Sequence, residues 1–482
     1  MKSRFNSFAV VSVMVMALVS ISFGFSAYAA KKPWEKINWD KPVPAAERLS
    51  ADEYILPEGW QEATKGVKKI LHFNAGGMKH DPGTLANFQL FEKLTGIKVE
   101  YVEVSDQVLL QKTISALVSR DPNVTSMCVS SPAFTLQHLI AAGWLEKWDC
   151  IWSKGVRDIY PKGLVDLMQG PDGQYYGTVD TYKSGISYLR PSWLKAAGVE
   201  GTPETWEGYI AAAKKCREWA KKNLDQTYYG FGFGADHYLL QKLQGMTYSQ
   251  GGRLINDGKI KLLTPEFKNT WKTYVNFVLE DTSPKAVLGW TWNDYQQAFA
   301  MGKMAIITES LNTNMVRFSN PEKSPGLTKL VTGGKADAPG DWTAMPSPKW
   351  SKDMPDKYIG AAPPNFSAFI INRFAPDNAK AAAMILGEVR MSKQGGKNEL
   401  LIEGNSPFNP AVFEDASVMS KVAYIDVRKT SNKNAIMEVF PPGGEKAIDI
   451  LLEYFGKAAT GKMDAMKALE AAQKEIDDFQ SY

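Results

Sequence analysis

At 482 residues the chain is too long for one ordinary hydrophobic core, which leaves two lobes or domains as the expected arrangement. Its 44% apolar and 22% charged residues are those of a folded soluble protein. The formal net charge of +4 is small and dispersed, so nucleic acid is not expected as a partner. Fourteen tryptophans and nineteen tyrosines make an aromatic-rich chain; such rings can be core, but this many leaves some to line a binding surface.

The first residues read as a targeting segment. Lys2 and Arg4 precede an apolar run from Phe8 to Phe25, and Ala27, Tyr28 and Ala29 supply a small-residue cleavage site. Residues 1–29 are therefore expected to be a signal peptide cut near Ala29/Ala30, with an exported, periplasmic mature protein. A membrane anchor is disfavoured by Ser12, Ser20, Ser22 and Gly24 inside the run, and no later stretch approaches spanning length. Of three cysteines, Cys216 falls on the apolar face of a predicted helix, and Cys128–Cys150 is the one pair considered for a disulfide. The four histidines lack ligand spacing, and no metal or cofactor is expected.

Residues 30–66 carry Trp34, Trp39 and Trp60 among prolines without periodicity, and read as an irregular N-terminal arm over the surface. Val67 to Phe73 is a buried strand, and Asn74 to Gly77 is a loop whose glycines admit close approach to a ligand. Asp81 and Pro82 open a helix that Thr95 and Gly96 end. A strand to Val104, a helix through Val118, a strand at Val124 to Val129 and the Ser130–Ser131–Pro132 loop follow. Strand–helix alternation of this kind means a parallel sheet flanked by helices, with ligands at loops beyond the strand ends.

From Gly170 to Trp193 a turn leads into a strand that polar residues interrupt: Asp180, Thr181, Tyr182 and Lys183. That pattern suits a crossing between two lobes that leaves side chains facing a cleft, or an ordinary strand–loop–strand in one domain. Further on, helices are expected from Pro203, over 237–248 and over 265–279. Trp290 precedes another, and a short strand ends in Thr308, Glu309 and Ser310. Residues 320–357 read as loops, 366–372 as a strand, and 444–459 and 463–479 as closing helices.

The order of these elements resembles that of extracellular solute-binding proteins of the carbohydrate-uptake, maltose-binding-protein-like class. The resemblance rests on the run Phe91-Glu-Lys-Leu-Thr-Gly-Ile-Lys-Val-Glu-Tyr-Val, on Ala141-Ala-Gly-Trp-Leu-Glu and on Gly173-Gln-Tyr-Tyr-Gly with Tyr188 and Trp193. Ala298-Phe with Gly302-Lys-Met-Ala and the closing Ala468-Leu extend it from about residue 67 to 479. It implies an α/β, two-lobed fold, each lobe a mainly parallel sheet flanked by helices, with a cleft at the hinge crossovers. Lobe 1 would comprise 67–180 and 358–412, and lobe 2 would comprise 181–357 and 413–482. It also implies a monomer that captures a small solute, a sugar or oligosaccharide, and delivers it to inner-membrane ABC permease subunits.

Sugar recognition needs planar aromatic faces and polar groups that saturate hydroxyls. The positions matching the family's cleft are Asn74, Ser130, Ser131, Asp180, Tyr182, Glu309, Asn312 and Asn365, with Asp236 nearby. Tyr182, Trp290, Phe366 and Phe440 are the candidate stacking groups, against core packing as the alternative for the apolar ones. Two other readings stand beside this one. One is an exported hydrolase of polysaccharide using Asp180 and Glu309 as paired carboxylates; the other is the same fold with a non-sugar cargo.

Overall fold

A computed structural model of the chain describes residues 31–75, 82–104, 106–130, 132–236, 238–327, 340–441 and 443–480. The expected signal peptide and cleavage site, Gly76, Gly77 and Ser131 lie outside them. Among the described residues eleven strands form in chain order: β1 (Lys69–Ala75), β2 (Lys98–Val104), β3 (Ser126–Ser130), β4 (Thr178–Lys183), β5 (Gly185–Leu189), β6 (Tyr229–Gly232), β7 (Ile255–Asn256), β8 (Lys259–Ile260), β9 (Met304–Leu311), β10 (Thr343–Pro346) and β11 (Asn365–Ile371). They make a five-stranded sheet in the order β2-β1-β3-β11-β4, a four-stranded sheet in the order β10-β5-β9-β6, and a β7-β8 pair.

Only part of each sheet is parallel, which corrects the expectation of mainly parallel sheets. β1 runs parallel to β2 and β3, whereas β11 is antiparallel to both β3 and β4. In the second sheet β6 and β9 are parallel, while β5 is antiparallel to β9 and to β10. The cause is topological. The strands that bring the chain into a lobe from the other one, β5 and β11, enter their sheets from the cleft side, against the direction of the strand–helix units.

The first core forms on the first sheet. Phe88 and Phe91 of the helix Pro82–Thr95 pack there with Trp148, Ile370 and Ile371. Every residue from Ala379 to Met391 of the helix Asp377–Met391 is buried. Its small side chains admit this: a Cβ at Gly387 would stand 2.5 Å from the Trp148 ring. The second core gathers Trp206 and Tyr209, Trp271 and Tyr274, and Phe455, from the helices Trp206–Asn223, Pro265–Leu279 and Gly444–Ala459.

The N-terminal segment is no irregular arm lying over the surface. It forms the 3-10 turn Pro33–Lys36 and the helices Ala45–Ser50 and Trp60–Ala63, and buries Trp34, Trp39, Leu49 and Tyr54 in the first core. The buried Arg48 pairs with the buried Glu388 at 2.6 Å, and the Tyr54 hydroxyl donates to the same carboxylate. Helices of four to six residues are too short to print a 3.6-residue period on the sequence.

Three stretches connect the lobes. β4 stays in the first sheet to Lys183 and β5 starts in the second at Gly185, so the first crossing is Ser184, beyond the expected 180/181 boundary. The second runs from β10 to β11, and the third lies between Phe408 in the first core and Phe440 in the second. No disulfide joins the three cysteines, so Cys128 and Cys150, the one pair considered, are not bridged. Cys128 lies within β3 opposite Phe369, whereas the Cys150 sulfur packs on that of Met384 at 3.8 Å. Burial pushes the Cys216 thiol up to about 12.

Candidate binding cleft

Two register shifts shape the space between the sheets. Along β4 and β11, Thr181 stands opposite Ser367 but Val179 stands opposite Ala368, which leaves Asp180 as an extra residue. Along β5 and β9, Ile186 stands opposite Ser310 and Tyr188 opposite Ile307, so Thr308 and Glu309 together face Ser187. Glu309 has a left-handed backbone, φ 48°. A bulge breaks the alternation of a strand and re-aims a side chain. Here each lobe uses one to carry an acidic residue toward the same cleft, of about 720 Å³.

Each bulge is clamped by a base from the helix packed on its strand. Arg390 pairs with the Asp180 carboxylate at 2.8 Å and donates to the Asp180 carbonyl at 2.9 Å. Lys242 of the helix Leu239–Tyr248 donates to the Thr308 carbonyl at 3.0 Å, to the Glu309 carbonyl and to the Tyr295 hydroxyl at 2.8 Å. The Glu309 carboxyl accepts from the Ser347 hydroxyl at 2.8 Å and sits under two glycines. A Cβ at Gly185 or Gly245 would come within 2.5 Å of it. Burial raises this carboxyl to about 7, while the Lys242 ammonium pulls the other way.

The first-lobe wall consists of Asn74 at the end of β1, Ser130 at the end of β3, Asp180, Thr181 and Lys183 of β4, and Asn365 and Ser367 of β11. The second-lobe wall is made largely of carboxamides and rings. Tyr238 and Gln241 come from the turn and helix around 239, and Trp292, Asn293, Tyr295, Gln296 and Gln297 from the helix Trp292–Ala300. Part of this wall is fixed in advance. The Asn314 amide donates to Gln296 at 2.7 Å and to the Ser310 hydroxyl at 2.9 Å, and Gln296 donates to the Tyr295 hydroxyl at 3.2 Å. Such a surface offers paired donors and acceptors beside aromatic faces.

Of the residues expected here, Asn74, Ser130, Asp180, Glu309 and Asn365 line the cleft. Tyr182, Phe366 and Phe440 do not: all three are buried in the cores, because strand alternation turns Tyr182 and Phe366 to the face opposite Thr181 and Ser367. Asp236 is a helix tether, accepting from the backbone N–H of Tyr238 at 3.0 Å and of Trp292 at 2.8 Å. Trp290 packs between hydrophobic clusters, and its neighbour Trp292 lines the cleft. Asn312 is wholly buried at the crossings, donating to the Gly404 carbonyl at 3.0 Å and the Ser406 hydroxyl at 2.7 Å. Sequence reasoning missed the Gln241, Gln296 and Gln297 wall. Glutamines on amphipathic helices read as solvent-facing, and only their i, i+1 clustering beside Tyr295 marks them out.

A family model described as bacterial extracellular solute-binding protein matches residues 86–425. Solved structures share the fold. Maltose-bound MalE3 of T. maritima superposes with a TM-score of 0.69 at 17% identity, covering 85% of this chain and 99% of that one. A solute-binding protein of an ABC transporter from Agrobacterium radiobacter in complex with ribitol gives 0.69 at 19%, covering 86% and 99%. An ABC substrate-binding protein from Listeria monocytogenes in complex with cycloalternan gives 0.67 at 16%, covering 86% and 100%.

Proposed function

The chain belongs to the bacterial extracellular solute-binding protein family, and from that premise we propose that it captures a sugar or oligosaccharide between its lobes for an ABC importer. The observation that carries this reading is the composition of the cleft: hydroxyls, carboxamides and aromatic rings drawn from both lobes around one space of about 720 Å³. A solute held there touches both walls, so closure about the hinge is favoured by whatever contacts the open form lacks. A micromolar affinity supplies about 8 kcal/mol, enough to shift a balanced equilibrium between open and closed forms. The mature protein would start near Ala30 outside the cytoplasm, as a monomer that presents its closed form to the permease. Among the described residues no helix is long and apolar enough to cross a membrane.

Against hydrolysis stands the disposition of the two carboxylates. Asp180 is 1% exposed and ion-paired from behind, and Glu309 is 6% exposed beneath glycines, so neither carboxyl is presented to a glycosidic bond. A thermal-shift screen of neutral and acidic sugars, polyols and peptides tests the proposal. Stabilisation by a carbohydrate without its turnover supports it. Stabilisation only by non-carbohydrates, or hydrolysis abolished by Asp180→Asn, rejects it.

A further inference from the structure

The charges along the cleft wall differ in how they are satisfied. Asp180 faces Arg390, Glu309 is enclosed and held by Ser347, and Glu403 accepts the Gly83 backbone N–H at 3.3 Å. The Lys242 ammonium is occupied by two carbonyls and a phenol. Arg317 stands apart. It is half-buried on the wall and, among the described residues, its guanidinium donates to the neutral amide oxygens of Asn293, at 3.4 Å, and Gln297. Burial depresses its guanidinium, the sign of a cation desolvated without a counter-ion to compensate. Lys323 lies on the same wall, and Lys183 reaches the cleft from the other lobe at the end of β4.

A guanidinium oriented by two amides and still open to the cleft is suited to receive a planar or tetrahedral anion through paired N–H donors. We propose that the cargo is an anionic carbohydrate, a sugar bearing a carboxylate or a phosphate, whose charged group is received by Arg317 with support from Lys323. The inference rests on the carbohydrate reading above and narrows it.

Calorimetric titration of the mature protein with glucose, galactose and mannose, each beside its uronate and its phosphate, tests this, with inorganic phosphate and glycerol phosphate as anions without a sugar ring. The expected result is at least one acidic sugar bound roughly tenfold or more tightly than its neutral parent. That advantage should shrink as salt rises. Whether uronate or phosphate wins identifies the anion. Arg317→Gln should abolish the preference, and Arg317→Lys should retain part of it; unchanged melting temperatures of the unliganded variants exclude misfolding. A neutral parent bound as tightly as its acids, or a preference that survives Arg317→Gln, overturns the inference and leaves the carbohydrate reading standing. Binding of glycerol phosphate or inorganic phosphate with no hexose derivative bound retains an anion site and overturns the carbohydrate. Absence of binding across the panel overturns the inference, and the thermal-shift screen above then decides the carbohydrate reading.

Discussion

Glu309 combines a left-handed backbone with a carboxyl enclosed by Gly185 and Gly245, a position that only its surroundings make tolerable. Its ordinary value is 4.5 and burial raises it to about 7 in the folded protein, so between these values the native state holds the proton more tightly than the unfolded chain. Its contribution to stability is therefore complete below the lower value and lost as pH rises through the upper one. Glu309→Gln is expected to flatten that part of the stability–pH curve in urea unfolding and to gain about 1–3 kcal/mol above neutrality. An unchanged slope would mean that the carboxyl is hydrated. A second prediction separates two neighbouring rings: Trp292→Phe should remove most of the fluorescence change on ligand binding, and Trp290→Phe should leave it, since Trp292 alone of the pair lines the cleft.

At the scale of elements, the N-terminal segment is tied to the helix Asp377–Met391 by Arg48, Tyr54 and Glu388. Removing one partner of a buried pair leaves the other charge uncompensated, so Arg48→Met should cost about 3–5 kcal/mol in chemical denaturation. Arg48→Met with Glu388→Met should recover much of that loss. If the double variant is no more stable than the single one, the segment holds by its tryptophans. This element also marks a limit of legibility. Long periodic helices such as Trp206–Asn223 and Pro265–Leu279 are readable from Trp206, Ala213 and Cys216 or from Phe267, Trp271 and Tyr274. Short ones, the strand β10 inside an apparent loop, and the helix Ile425–Asn434 are not, because tertiary contacts rather than local pattern hold them in place.

On the scale of the whole molecule, the first crossing and Arg428 of the third meet in a polar node with the 404–406 segment. Ser184 of the first contacts Ser406 at 3.1 Å, Asn312 bonds Ser406 and Gly404, and Arg428 donates to the Gly404 carbonyl at 2.7 Å. Relative motion of the lobes must rearrange or pivot about these bonds. Ligand is expected to compact the protein in solution scattering and to slow amide exchange at 184–185 and 404–406. Asn312→Ala should weaken both responses, with a loss of affinity of about tenfold. Compaction unchanged by Asn312→Ala would place the pivot elsewhere.

The sequence by itself pointed to two lobes and offered Gly170–Trp193 as a crossing or an ordinary strand–loop–strand, while the family resemblance added Asp180 and Glu309 as cleft positions. Turn residues, apolar runs and polar interruptions of strands are local signals and survive without coordinates. It did not determine which way Tyr182, Asn312 or Trp290 would face. A one-residue bulge reverses the side assigned to every neighbour, and only the pairing of β4 with β11 and of β5 with β9 sets where the bulge falls. Tertiary structure likewise decided that the wall opposite Asp180 is built of glutamines and Trp292, since helix faces that read as solvent-exposed become a binding surface when a second lobe stands across from them.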